Sequence, residues 1–115
     1  MVFHKCDAKL DERFEMRGGK GTVKLLMILP KEGLPNHTRL MAEIILEEGC
    51  SIGAHPHENE CEIFYVTSGA GRYLDDGAWV DVTVGDVMTC GEGKVHSIEN
   101  PNAEPLVVTA VIVQD

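Results

Sequence analysis

Short runs of β-branched, aromatic and aliphatic residues, separated by glycine, proline and acidic turn residues, extend through most of the chain. This rhythm is typical of all-β folds, in which each run forms one strand. The predicted strands are Thr22 to Leu29, Thr38 to Leu46, Glu62 to Thr67, Gly71 to Leu74, Ala78 to Val82, Asp86 to Cys90, Val95 to Glu99 and Leu106 to Val113. Eight strands with tight turns predict a β-sandwich or barrel.

One segment, Cys6 to Met16, could instead be helical. Asp7 is a possible helix cap, and Leu10 and Phe14 have the i, i+4 spacing of one helix face. A meandering strand fits the same residues, so the sequence leaves both readings open.

Length and charge limit the classes of function. A chain of 115 residues predicts one domain, residues 1–115. The net charge of −9 argues against nucleic acid as a partner, because affinity for a phosphate backbone comes largely from lysine and arginine. The longest apolar run, Leu25 to Leu29, is far too short for a membrane span, so no membrane partner is expected.

The cysteines and the first residues predict a cytoplasmic protein. Cys6, Cys50, Cys61 and Cys90 form no Cys-x-x-Cys pair, which favours reduced thiols over a disulfide framework or a thiolate metal site. The opening residues lack the basic-then-apolar layout of a secretory signal.

Two runs, Val23 to Leu29 and Leu106 to Val113, are apolar at nearly every position. Strands of this kind are usually covered on both faces. A small barrel has too little mass to cover both faces itself, so a homodimer is expected.

Three histidines and one glutamate form the candidate metal site. In an extended chain His55 and His57 present both imidazoles to one face, because strand side chains alternate. Glu62 opens the next strand and can reach the same point, and His96 can join from a distant strand of a closed barrel. Imidazole and carboxylate donors together suit one divalent transition metal, namely Mn, Fe, Co, Ni, Cu or Zn.

Other residues compete for these roles. Glu58 and Glu60 are alternatives to Glu62 as the carboxylate donor, and Glu60 is the one weak candidate for a catalytic acid or base. Cys61 points to the face opposite Glu62, which favours core packing. His4 and His37 are expected to be solvated.

The first motif resembles that of the cupins. Their pattern G-x5-H-x-H-x4-E-x6-G is matched at every spacing by Gly49, His55, His57, Glu62 and Gly69, in motif 1 at residues 49–69.

The second cupin motif, G-x5-P-x-G-x2-H-x3-N, is matched by Gly85, Gly93, His96 and Asn100, in motif 2 at residues 85–100. Gly91 stands where proline is usual, which changes a turn and not a metal donor. The resemblance implies a small single-domain monocupin with the cupin-type double-stranded β-helix, a jelly-roll barrel.

The resemblance also implies a metal with one or two positions left for water or substrate, inside a largely apolar barrel. The expected ligand is small and rich in oxygen: a dicarboxylate, a keto acid, a diol or a sugar derivative. Three functions remain open: an enzyme, with metal-dependent oxygenase, decarboxylase or isomerase as the cupin classes; a non-catalytic binding or sensing module; and a structural barrel whose motifs hold no metal.

Overall fold

The computed structural model describes all 115 residues, which form ten strands and three short 3₁₀ turns. The strands are β1 (Lys9–Phe14), β2 (Thr22–Met27), β3 (Thr38–Leu46), β4 (Ser51–Pro56), β5 (Glu60–Ser68), β6 (Ala70–Asp75), β7 (Ala78–Thr83), β8 (Val87–Gly91), β9 (Val95–Glu99) and β10 (Leu106–Gln114). The turns are Lys5–Asp7, Met16–Gly18 and Lys31–Gly33. No helix has the length and apolar character needed to cross a membrane.

The strands form two antiparallel sheets. The larger sheet has the order β1-β2-β3-β10-β5-β8, and the smaller one has the order β4-β9-β6-β7. Chain neighbours therefore often lie in different sheets, as in a jelly roll. The all-β class and the jelly-roll barrel predicted from the sequence are confirmed.

The two sheets enclose one apolar core. Alternate residues of the central strands face it, as on β10, where buried and half-buried positions alternate from Leu106 to Ile112. Its largest members include Phe64, Leu25, Ile44, Leu46, Ile52 and Ile98. Cys50 and Cys90 are buried, whereas Cys61, for which core packing was expected, is only half-buried on the outer side of β5.

Two strands differ from the expectation. Lys9–Phe14 is a strand that pairs with β2 along its full length, so the helical reading of this segment is wrong. Leu10 and Phe14 lie on its exposed outer face at the edge of the sheet. Strand β4, absent from the eight predicted runs, contains Gly53 and ends at Pro56, both weak strand formers.

The loop between β1 and β2, residues 15–21, folds over β4. A Cβ atom on Gly53 would collide with the carbonyl oxygen of Arg17, and one on Gly19 would collide with that of Ser51. Hydrogen bonds of 2.9 Å join Ser51 N–H to the Lys20 carbonyl and Lys20 N–H to Ser51 Oγ. The loop is thus held at a fixed place beside the site described next.

The outer face of the larger sheet is apolar over several strands. Its members are half-buried or exposed in the single chain: Leu26, Ile63, Tyr65, Val87, Val107, Val111 and Val113. We refer to these residues as the outer apolar face. They include Leu26 from the first run that predicted a covered surface and Val107, Val111 and Val113 from the second, whereas Lys24 and Thr109 are polar outward positions of the same runs.

Candidate metal centre

Both sheets supply side chains to one buried cluster. His55 lies on β4 directly opposite His96 on β9, and His57 follows the last residue of β4. Glu62 comes from β5 of the larger sheet and faces the interior. The exposed fractions of these four residues are 7, 1, 3 and 6%, respectively.

The four side chains converge on one point. The Nε2 atom of His96 lies 3.1 Å from Nε2 of His55 and 3.1 Å from Nε2 of His57. Oε1 of Glu62 lies 3.0 Å from Nε2 of His57 and 3.2 Å from Nε2 of His96. One donor atom from each residue falls within 4.8 Å of every other, so the cluster could hold a metal ion.

The second nitrogen of each imidazole is already engaged. Nδ1 lies 2.7 Å from the Gly53 carbonyl oxygen in His55, 2.6 Å from Oε2 of Glu60 in His57, and 2.9 Å from the Tyr73 hydroxyl in His96. Such contacts fix the orientation of a metal-binding ring and leave Nε2 as the donor. Three Nε2 atoms and one carboxylate are a donor set that suits a transition metal.

Glu60 has a different place from Glu62. It accepts hydrogen bonds of 3.0 and 2.9 Å from the Arg39 guanidinium while contacting the outer side of His57. Glu58 is exposed and makes no such contact. Of the three glutamates considered from the sequence, Glu62 alone joins the cluster.

Opposing effects shift the pKa values of the cluster. Burial by itself raises the pKa of Glu62, but hydrogen bonds from His57 and His96 outweigh it and lower that pKa to about 2. The hydrogen bond with Glu62 raises the pKa of His57 against the opposing effect of burial, with Glu60 adding to the rise. Burial lowers the pKa of His55.

Aromatic rings close one side of the cluster. The ring of Phe64 stacks on His96 at a centroid separation of 5.2 Å and an angle of 17°, while Tyr73 meets the same imidazole edge-on. Burial raises the pKa of Tyr73, so its hydroxyl stays protonated and can donate or accept a hydrogen bond at His96. His96 is therefore held by packing as well as by hydrogen bonding.

The other side of the cluster opens into a small cavity of about 70 Å³. Its wall combines apolar side chains with three arginines and three of the four cluster residues. The lining is Met16, Leu25, Leu40, Ile44, Ile52, Ile112, Arg13, Arg17, Arg39, His55, His57 and Glu62. The arginines and the role of Tyr73 were not predicted, because their approach to the site depends on chain crossings that no local spacing encodes.

The remaining histidines lie elsewhere. His4 and His37 are exposed, as expected.

Three other large side chains lie away from the cavity. Met88 and Phe64 are buried in the core, and Trp79 lies under the Arg72 guanidinium at 5.1 Å on the outside of the barrel.

Comparison with known proteins decides the family. A sequence profile described as "Cupin domain" matches residues 42–112, which include the whole cluster. The chain belongs to the cupin family. This cupin is 40% identical over 113 residues to a Thermotoga maritima protein named "Oxalate-binding protein", covering 98% of this chain and 93% of the relative.

Solved structures agree with this assignment. A crystal structure described as a predicted oxalate decarboxylase from Thermotoga maritima has a TM-score of 0.94 and 39% identity, with 100% of both chains covered. A "Cupin 2 conserved barrel domain protein" from Salinispora arenicola has a TM-score of 0.69 and 24% identity, covering 99% of this chain and 87% of its own. The second likeness shows the fold alone.

Proposed function

We propose that this cupin binds one divalent transition metal through His55, His57, Glu62 and His96 and uses it to hold a small dicarboxylate of the oxalate class. The observation that carries the proposal is that the four-donor cluster opens into a small cavity lined by three arginines. A bound metal would supply a positively charged centre that two ligand oxygens can chelate.

The donor set supports a transition metal. Four contacts of 3.0 to 3.2 Å join the three imidazole Nε2 atoms and the Glu62 carboxylate oxygen. Mn, Fe, Co, Ni, Cu and Zn all accept imidazole and carboxylate donors, and a metal that takes more than four ligands would leave positions for the oxygens of a bound ligand.

The cavity supports a small anionic ligand. Its volume of about 70 Å³ has room for a ligand of a few non-hydrogen atoms. Three arginines are among the residues that line that space, although the whole chain carries a net charge of −9. The names of the Thermotoga maritima matches point to oxalate, which has the required size and charge.

Binding without turnover is favoured over catalysis. The cavity lining contains no carboxylic acid or imidazole apart from the proposed donors. Glu60, the weak catalytic candidate, is held between His57 and Arg39 and does not line the cavity. Decarboxylation needs a group that delivers a proton to the product, and none is placed to do so. Product formation from oxalate by the metal-loaded protein would overturn this preference.

Two further features belong to the proposal. We infer that a second copy of the chain covers the outer apolar face, giving a homodimer, since several apolar side chains exposed on one face of a sheet are costly to leave in water. The cytoplasmic location rests on the four unpaired cysteines.

The test is elemental analysis of untagged protein purified without chelator, followed by calorimetric titration of the Mn²⁺-loaded protein with oxalate. We expect about one transition-metal ion per chain, and oxalate binding only in the loaded state. His96→Ala should abolish both, while His37→Ala, at an exposed position, should change neither. Wild-type protein that takes up no transition metal would refute the proposal.

A further inference from the structure

Arg17 differs from the other two arginines that line the cavity. Arg13 contacts Asp11 at 3.0 Å, and Arg39 is bound by Glu60 through both of its oxygens. Arg17 forms no side-chain hydrogen bond and no ion pair, although it lines the same small cavity as His55, His57 and Glu62. One guanidinium beside the cluster is therefore free to bind a ligand.

The backbone of Arg17 is held in an unusual conformation. Its φ of 55° and ψ of 28° lie in the left-handed region, and Glu15, two residues earlier, has a φ of 49°. Such conformations cost about 1 to 2 kcal/mol for a residue other than glycine and persist where the surrounding structure enforces them. Here the carbonyl of Arg17 lies so close to Gly53 that no Cβ fits between them.

This contact links the arginine to the cluster. Gly53 is also the residue whose carbonyl oxygen contacts Nδ1 of His55. The same short stretch of β4 thus fixes both the direction of one imidazole and the backbone from which Arg17 extends. The contacts of the Arg17 backbone with β4 hold it at a fixed place relative to His55, although Arg17 itself lies in the loop between β1 and β2.

The lining contains more arginines than carboxylates, and Arg17 is the one whose charge is not paired with a carboxylate, since Arg13 contacts Asp11 and Arg39 contacts Glu60. Glu62 is the single carboxylate in the lining, against three arginines, and a divalent metal would add two further charges. A ligand that chelates the metal through one oxygen of each of two carboxylates keeps two outer oxygens that carry negative charge. A planar guanidinium can bind two such oxygens at once.

We propose that Arg17 binds the outer oxygens of a dianionic ligand held at the metal centre, and so makes the site select dicarboxylates over singly charged analogues. The assignment rests on the proposed function. Arg17 would act as a specificity-determining residue, while Arg13 and Arg39 remain occupied by their own carboxylates.

The experiment compares oxalate with oxamate, which has the same shape but carries an amide in place of one carboxylate. Calorimetric titrations use Mn²⁺-loaded wild type, Arg17→Gln, Arg17→Lys and Arg13→Gln. We expect Arg17→Gln to raise the Kd for oxalate roughly 10- to 100-fold, as for loss of a hydrogen-bonded charge, and to remove most of the preference over oxamate. Arg17→Lys should recover only part of the affinity, because an ammonium cannot bind both oxygens in one plane.

Two controls separate this role from general effects. The Kd for Mn²⁺ alone should not rise in Arg17→Gln, because Arg17 makes no hydrogen bond to any of the four donors. Arg13→Gln removes the same charge from the same cavity and should raise the Kd for oxalate far less. An equal effect of Arg13→Gln, or unchanged oxalate binding in Arg17→Gln, would overturn the assignment and leave the proposed function standing. Wild-type protein that loads Mn²⁺ but binds neither ligand would overturn both.

Discussion

At the scale of single residues, each imidazole of the cluster is oriented by a group of different chemistry. His55 uses a backbone carbonyl, His57 a carboxylate and His96 a phenol. A carboxylate increases the electron density of the ring more than a carbonyl or a phenol does, so His57 should be the strongest of the three nitrogen donors. The contact from Glu60 should therefore increase the affinity for the proposed metal, although Glu60 is not one of the four proposed donors.

Replacing Glu60 by glutamine tests this contribution. Glu60→Gln keeps the size of the side chain but removes the charge beside His57, and we expect the Kd for Mn²⁺ to rise about tenfold or more. Competition with a fluorescent chelator measures the change. The control Glu58→Gln removes a charge from an exposed neighbour, and a comparable loss in that variant would show that only overall charge matters.

The low pKa of Glu62 predicts a pH dependence of the metal-free protein. A carboxyl group with a pKa of about 2 in the folded chain against 4.5 in the unfolded chain stabilises the fold above pH 4.5. That contribution is lost as the pH falls from 4.5 towards 2, and about 2 kcal/mol of it should disappear between pH 5 and pH 3.

Urea unfolding of metal-free wild type and Glu62→Gln at several pH values isolates the effect, because all other carboxyl groups are common to both. The difference in free energy of unfolding should shrink as the pH is lowered. A constant difference across this range would contradict the assigned pKa.

At the scale of elements, the strands that sequence patterns located best are long aliphatic runs in the middle of the larger sheet. Run Leu106 to Val113 corresponds to β10 and Thr38 to Leu46 to β3. Strand β1 was ambiguous because it lies at the sheet edge, where Leu10 and Phe14 remain exposed and the helical spacing of the two was accidental. Strand β4 carries His55 yet was not among the predicted runs, because pairing with β9 compensates for the poor strand propensity of its glycine and proline.

The candidate site also contains residues that the sequence located and residues that it did not. The four proposed donors were identified from the spacing in two short segments, because strand alternation is local. Arg17 and Tyr73 reach the cluster only after the sheets have formed, and nothing in the residues beside them distinguishes them from other surface arginines or core tyrosines. Sequence patterns can therefore locate the four cluster residues but not the side chains that approach the cluster from other parts of the fold.

Gly49 and Gly69 of motif 1 have similar φ angles but different surroundings, so they form a matched pair for testing how overpacking changes the free energy of unfolding. Gly69 has a φ of 77° and Gly49 a φ of 80°, but a Cβ on Gly69 would collide with the carbonyl oxygen of Pro105, whereas one on Gly49 would meet no atom within 4 Å. We expect Gly49→Ala to cost about 1 kcal/mol from conformation alone. Gly69→Ala should cost about 3 kcal/mol, since overpacking is added. Thermal or urea unfolding measures both, and equal losses would show that the collision is relieved by movement.

At the scale of the whole molecule, the outer apolar face predicts association. We expect sedimentation equilibrium to give twice the chain mass of 12.6 kDa at micromolar concentration. Val111→Glu places a charge in the middle of that face and should yield a folded monomer. The control Val84→Glu, at an exposed position outside the larger sheet, should leave the mass unchanged. A wild-type mass of one chain would refute the homodimer.

The four proposed donors belong to both sheets of the barrel. An ion bound to them would link the two sheets, so that the sheets could not separate at this point without breaking coordination bonds. Backbone amides of β4, β5 and β9 should then exchange with deuterium much more slowly when metal is present, while those of the edge strand β1 should be little affected.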